Sequence, residues 1–318
     1  MMNFLIVGSS FGLNSYYPAL KNKKNIFTIV SPNIFKKKIN KKVFKFNNFK
    51  IALDKKKYDY LICAAPPKVQ EKIIKYIYLK KISFTGIILE KPIASSYKKQ
   101  LEIFSCLDKI NIPYIINFIF PQIFLFKKLK KLINQKNLNF LNYKFFFNQG
   151  YFLNHKKTWK IKNKLGGGIV YFYLIHIFYN LLFLFNNFVL SNIKVIKKEK
   201  KENIFTYLEI EATINKYIKL SIVININSSL RLHSIETGNS KKKFKLINKS
   251  FDWTRNFSLY NKKVKIYKKS KEKRLDLIKK NFLLLQTMIK KKNNNKKNYY
   301  NKFLLAHSFC NKIEKIIY

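Results

Sequence analysis

The chain is poor in glycine, proline, cysteine and acid. Its 318 residues include 8 Gly, 7 Pro, 3 Cys and 15 Asp plus Glu. Such scarcity of Gly and Pro excludes collagen-like and Gly/Pro-rich low-complexity classes. Cys63, Cys106 and Cys310 are odd in number and far apart, with no CxxC. This excludes a disulfide framework and a zinc site, and suits a reducing compartment. The start, Met1-Met2-Asn3 before Phe4–Gly8, has no basic n-region and no small-residue cleavage site. No targeting segment is expected there, and the expected location is cytoplasmic. Gly168–Phe185 approaches the ~18 apolar residues of a membrane span. It carries His176 and Asn180, however, and Asn186-Asn187 follow at once. A helix buried in a protein core is predicted, with no membrane insertion.

Arginine is scarcer still. Of 65 basic residues only Arg231, Arg255 and Arg274 are arginine, and the formal net charge is +50. Lys, Asn, Ile, Phe and Tyr are abundant, while Gly, Pro, Ala and Arg are rare. The abundant residues have A/T-rich codons, so an AT-rich genome accounts for the pattern without selection for binding. A nucleic-acid binder would use arginine, whose fork reads phosphate and guanine bidentately. The lysines are also scattered rather than gathered in one arm. No specific nucleic-acid partner is expected, although the field attracts polyanions weakly. A polyanion-binding role stays as the least favoured alternative.

With 47% apolar and 25% charged residues the chain reads as globular. Its length exceeds the roughly 250–300 residues at which single cores stop growing, so two domains are expected. Over 1–120, short apolar runs (Phe4–Val7, Ile26–Val30, Tyr60–Ala64, Ile87–Leu89, Tyr114–Phe118) alternate with helical stretches such as Lys68–Lys80 and Ser95–Lys109, with Ser95 as a plausible N-cap. Runs of that kind suit strands of a parallel sheet buried on both faces. The predicted architecture is α/β: a Rossmann-type parallel sheet over 1–120, then an α+β domain over 121–318 with a large, mainly antiparallel sheet. In the second domain Ile123–Ile133 reads as helix and Phe140–Phe147 as strand. Period-2 strands follow from Ile193 to Tyr267, the clearest at Tyr207–Ala212 and Leu220–Ile226, with a turn at Gly238-Asn239. Helices around Leu275–Ile289 and Phe303–Ile317 flank a Lys/Asn tract, Lys290–Asn298, expected as a solvated loop.

The first βα turn is Val7-Gly8-Ser9-Ser10-Phe11-Gly12. A buried strand, a glycine turn and a helix start place backbone N–H groups against a pyrophosphate. The middle glycine of G-x-G-x-x-G is Ser10, so the motif alone does not separate a dinucleotide site from an ordinary tight turn. The second strand ends at Ser31, without the acid that bonds a ribose 2′-hydroxyl, and Lys36-Lys37-Lys38 follow. That favours NADP over NAD.

Later strands end in Ala64-Ala65-Pro66-Pro67 and in Leu89-Glu90-Lys91-Pro92, and Gly166-Gly167-Gly168 precedes His176 by eight residues. With the opening G-x-x-F-G and Pro18-Ala19-Leu20, the chain resembles the glucose–fructose oxidoreductase/inositol dehydrogenase (Gfo/Idh/MocA) family of NAD(P)-dependent oxidoreductases over essentially its whole length. His233–Gly238 and Ala306–Ile317 are similar to later landmarks of that family.

The resemblance implies hydride transfer to or from a hydroxyl-bearing carbon of a sugar, sugar derivative or cyclitol. Lys91 would steady the reacting oxygen and His176 would act as general acid/base. Gly8, Ser10, Phe11, Gly12, Ser31, Pro66, Glu90, Lys91 and Asn117 would hold the cofactor. Trp159, Phe172 and Tyr173 would join Lys91 and His176 around the substrate, with packing an equal reading for Trp159. A homo-oligomer, dimer or tetramer, through the C-terminal sheet is also implied. Besides Ser10 at a glycine position, two departures stand out. Family members place an aspartate where this chain has Phe172, four residues before His176 and thus on the same face of an α-helix. Tyr173 could partly stand in for it. The arginine that often follows the Asn117 position is replaced by Ile119-Phe120. A non-catalytic nucleotide- or sugar-binding relative is therefore the alternative. His155 and His233 have no partners at metal spacing and read as structural or solvent-exposed; no metal is expected.

Overall fold

The computed structural model describes the chain except residues 40–42, 134–136, 151, 153–157, 187, 268 and 292–295, with the backbone alone over 296–300. Two compact units emerge: Met1–Ile119 with Arg274–Tyr299, and Phe120–Lys273 with Tyr300–Tyr318.

The first unit holds β1 (Asn3–Val7), β2 (Ile26–Val30), β3 (Val43–Phe46), β4 (Tyr60–Cys63), β5 (Gly86–Leu89) and β6 (Tyr114–Ile116). They form one parallel sheet in the order β3-β2-β1-β4-β5-β6. This is the order of dinucleotide-binding folds, with the topological switch between β1 and β4. Its helices are α1 (Tyr17–Leu20), α2 (Phe49–Lys55), α3 (Pro67–Leu79) and α4 (Tyr97–Ile110). Because helices cover a parallel sheet on both faces, successive residues must be apolar; Phe4, Leu5 and Ile6 are all fully buried. The cap of α4 is Ser96, one residue later than expected, its Oγ accepting from the Lys99 N–H at 3.3 Å. The edge strand β3 escaped the sequence reading because Lys45 interrupts its apolar run.

In the second unit come α5 (Phe124–Leu132), β7 (Phe140–Asn148) and α6 (Ile175–Phe185), the last preceded by a π-helical turn at Ile169–Leu174. Then follow β8 (Leu190–Lys201), β9 (Ile204–Ile214), β10 (Ile218–Asn225), β11 (Asn227–Gly238), β12 (Lys243–Asn248), β13 (Ser258–Asn261) and β14 (Val264–Tyr267). The sheet order is β14-β13-β12-β11-β7-β10-β9-β8. All pairings are antiparallel except β7 with β10. Alternation sets which side is covered: Leu208, Ile210 and Ile214 of β9 point inward, while Glu211 is exposed. The segment α6 is apolar on nearly every side because it is buried on nearly every side. No helix among the described residues is long and apolar enough to cross a membrane.

The last two helices are α7 (Arg274–Lys290) and α8 (Lys296–Ile317). A single boundary at 120/121 would assign both to the second domain. Instead α7 folds with the first unit, because Ile278, Phe282, Leu285 and Met288 form one apolar stripe that shares a core with Phe4, Ile6, Tyr60 and Ile62. Periodicity reveals such a stripe but not the sheet it covers. Of the tract expected as loop, 290 ends α7 and 296–298 already belong to α8.

Candidate active site

The first unit brings its candidate residues to the carboxyl ends of the strands: Gly8 after β1, Ser31 after β2, Pro66 after β4, Glu90-Lys91 after β5 and Asn117 after β6. Gly8 has φ 117°, donates its N–H to the Val30 carbonyl at 2.8 Å, and sits where a Cβ would collide with the Ala64 carbonyl. A Cβ at Gly12 would stand 2.7 Å from Ile6 Cγ2, so this glycine permits close helix-to-strand packing. Gly8 and Gly12 are thus both sterically required, although Gly12 stands one residue before the third glycine position of G-x-G-x-x-G, which is Leu13. Ser10, at the middle position, is exposed. With Ser9, Asn14, Tyr17, Lys37 and Lys38 it lines a cleft of about 440 Å³. The Ser9 and Ser31 hydroxyls lie 2.8 Å apart and tie the ends of β1 and β2 together. Hydroxyl, amide and ammonium groups gathered there fit the ribose and phosphate oxygens of a dinucleotide.

Glu90 is the most elaborately held residue of this edge. Its Oε1 accepts from Tyr16 Oη at 2.6 Å and from Asn117 Nδ2 at 2.7 Å. Asn281 Nδ2 of α7 in turn donates to Asn117 Oδ1 at 2.6 Å. Gln70 clamps the Glu90 backbone, donating from Nε2 to its carbonyl at 2.8 Å and accepting its N–H at Oε1 at 3.1 Å. Burial raises the Glu90 carboxyl, against the opposing hydrogen bonds from Tyr16 and Asn117 and the charges of Lys91 and Arg274. Tyr16 reaches Glu90 from a π-helical turn, Gly12–Tyr16, ahead of α1. The Lys91–Pro92 peptide is cis, and Lys91 is half-buried beside the carboxylate. Pro66 is the N-cap residue of α3. The exposed guanidinium of Arg274 lies 5.8 Å from the Phe11 ring centroid.

The second unit assembles its candidates differently. Gly166 and Gly168 have φ 78° and 75°, and a Cβ at Gly167 would collide with the Trp159 carbonyl. The glycines therefore let the backbone of Trp159 lie against the start of the apolar helix. The Trp159 and Phe172 rings meet edge-on at 5.3 Å, Phe172 and Tyr173 at 4.7 Å, and Tyr173 and Phe147 at 4.9 Å. Burial pushes the Tyr173 phenol up, partly offset by a hydrogen bond from Gln149. His176, half-buried, packs edge-on to Phe120 at 5.6 Å. Because the helix opens in π register, Phe172 and His176 are not related by a simple α-helical repeat. Trp159, Phe172 and Tyr173 thus form one ring chain, and His176 has its own neighbour. Lys91 belongs to the first unit and His176 to the second.

His233 is fully enclosed. Its Nε2 lies 2.6 Å from Tyr143 Oη, which also accepts from Asn180 Nδ2 at 2.8 Å. Burial pushes His233 down to about 3, so the ring is neutral and structural. His155 lies outside the described residues. Among those described, no cluster of three or more His, Cys, Asp or Glu could hold a metal.

Several residues escaped the sequence reading: Tyr16, Gln70, Arg274 and Asn281 around Glu90, and Trp253, whose ring packs on Phe145 at 5.3 Å and Phe147 at 5.0 Å. Rarity was a usable signal for Trp253 and Arg274. Nothing local marks Asn281, which is 164 residues from its partner.

No protein-family model matches the chain, and no curated protein does. Solved structures match it end to end. A Gfo/Idh/MocA family oxidoreductase from Vibrio cholerae aligns with TM-score 0.71 at 12% identity over 100% of this chain and 99% of that one. The WlbA dehydrogenase from Bordetella pertussis, solved with NADH and UDP-GlcNAcA, aligns with TM-score 0.75 at 12% identity over 99% and 96%. A super-repressor mutant of Gal80p from Saccharomyces cerevisiae aligns with TM-score 0.80 at 13% identity over 99% and 95%. From its first strand to its last helix, the chain has the fold of the Gfo/Idh/MocA oxidoreductases.

Proposed function

We propose that the protein is an NAD(P)-dependent oxidoreductase acting on a hydroxyl-bearing carbon of a sugar, sugar derivative or cyclitol. The observation that carries this reading is the Glu90-Lys91 pair at the end of β5, held by Tyr16, Asn117 and Asn281 in the same parallel sheet whose β1 turn is shaped by Gly8 and Gly12. A bound nicotinamide would supply the hydride acceptor or donor. Lys91 would hold the reacting oxygen and stabilise its developing negative charge. His176 would take the hydroxyl proton in the oxidising direction and return it in the reducing one. Glu90 would present its second carboxylate oxygen, Oε2, as a fixed acceptor on the nicotinamide side. NADP(H) is favoured over NAD(H), since Ser31, Lys37 and Lys38 stand where an acid would repel a 2′-phosphate. The WlbA comparison, a dehydrogenase with NADH bound, supports the cofactor class. A homo-oligomer through the eight-stranded sheet completes the proposal.

Lys91→Met tests it. Turnover, read as a substrate-dependent change in nicotinamide absorbance, should vanish while NADPH binding stays near wild type. An unaffected rate refutes the assignment. Phe172 motivates a second reading, a non-catalytic binding relative, and the fold is shared with a repressor, Gal80p. Cofactor binding without turnover on any polyol would favour that reading.

A further inference from the structure

Three arginines persist in a chain with 65 − 3 = 62 lysines. Two of them meet at one loop of the second unit: Arg255 lies within it, and Arg231 reaches it from β11. That loop is stiffened from within. Asn248 Nδ2 donates to the carbonyls of Asp252 at 2.7 Å and Arg255 at 2.9 Å. Asp252 Oδ1 accepts from the Thr254 N–H and hydroxyl, both at 2.9 Å, and Asp252 Oδ2 pairs with Arg255 Nε at 3.5 Å. What the loop holds in place is Trp253, packed on Phe145 and Phe147.

Arg231 lies over this loop. Its Cζ is 4.1 Å from the Phe251 ring centroid and 5.7 Å from that of Trp253, and Nη1 donates to the Phe251 carbonyl at 3.1 Å. None of its contacts among the described residues is with a carboxylate, because Asp252 is committed to Arg255 and its own turn. A guanidinium has five N–H donors in a planar fork, so most of its bonding capacity remains. Stacking on rings while presenting a fork edge is a role that lysine cannot fill. From Trp253 the rings continue through Phe147, Tyr173 and Phe172 to Trp159, and the Lys160 ammonium lies 5.5 Å from the Phe172 centroid. Of these rings Trp253, Phe172 and Trp159 are half-exposed, whereas Phe147 and Tyr173 between them are buried.

We infer that Arg231 and Trp253 form part of a binding site for a sugar bearing an oxyanion, a carboxylate or a phosphate, whose ring lies on the half-exposed Trp253 while the guanidinium takes the anion. The inference rests on the proposed function only in taking this ligand to be the substrate.

The test is calorimetric binding to the full chain at near-physiological salt. Its probes are glucose, glucuronate, glucose 6-phosphate and UDP-glucose, with NADPH titrated separately. At least one anionic probe should bind about tenfold or more tightly than glucose. Arg231→Gln should erase that preference, Arg231→Lys should restore it in part, and NADPH affinity should not change. Glucuronate against the two phosphate probes distinguishes carboxylate from phosphate. If Arg231→Gln does not fold, Arg231→Lys alone should lower the preference about threefold, since the charge stays but the fork is gone. Absence of binding by every probe, equal binding of glucose, or a preference untouched by Arg231 substitution (the mark of the overall +50 charge) overturns the inference. A lasting anion preference with no NADPH binding would sink the oxidoreductase reading and leave this site standing.

Discussion

The two units build their candidate sites from opposite materials. At the carboxyl edge of the parallel sheet, Tyr16, Asn117 and Asn281 fix one carboxylate through polar bonds of 2.6–2.7 Å. In the second unit, Phe120 packs on His176, the Phe172 and Tyr173 rings meet edge-on, and the buried His233 touches Phe120, Phe126, Phe145 and Phe257. A hydrogen-bonded relay fixes direction and is lost piecewise when a donor is removed. A ring cluster fixes shape and fails when charge enters it. The same chain thus holds one set of residues by electrostatics and another by packing.

The largest expected effect comes from breaking the turn on which the polar edge depends. Gly8→Ala places a Cβ against the Ala64 carbonyl at φ 117°. The first unit should lose more than about 2 kcal/mol, with NADPH binding lost as well. Thermal unfolding followed alongside a fluorescence titration checks both.

Acidification should separate the units. Folding depresses His233 and His307, each to about 3 from the usual 6.5. Between those values the unfolded chain binds protons that the folded chain refuses. Their stabilising contribution is therefore complete above about pH 6.5 and falls as pH drops toward 3. At pH 5 the loss is on the order of 2 kcal/mol per histidine. Glu90 has the opposite sign, because its carboxyl is raised by burial and folding favours its protonation. Acid should therefore loosen the second unit first, as hydrogen exchange of α6 and β11 against β1 and β5 would reveal. Simultaneous loss of protection in both units would contradict the contrast.

A smaller change dissects the relay. Asn281→Ala leaves Asn117 Oδ1 without its donor and should cost about 1–2 kcal/mol. It should weaken NADPH binding severalfold while leaving the ring cluster's fluorescence from Trp253 unchanged. Weaker still, Ser31→Ala should lower the preference for NADPH over NADH by a few-fold, measured as a ratio of dissociation constants.

Much of this was legible in the residues. Continuous apolar runs marked β1, β2 and β5, and the triple glycine marked the start of the long apolar helix. The Glu90-Lys91-Pro92 and Gly8–Gly12 motifs marked the polar edge. What escaped did so for physical reasons. The Lys45 interruption hid β3, and a stripe of apolar residues on α7 could not say which sheet it covers. Tyr16 and Asn281 look unremarkable until the fold brings them to Glu90 and Asn117. Trp253 lies in a loop whose Asx-type turns become evident only as hydrogen bonds.

The most direct test is an NADPH-soaked crystal structure. The nicotinamide should lie at the carboxyl edge of the six-stranded sheet, its carboxamide side against Glu90, with Lys91 and His176 both within reach of its reactive carbon. A dinucleotide bound elsewhere, or one whose reactive ring meets neither side chain, would contradict the proposed chemistry.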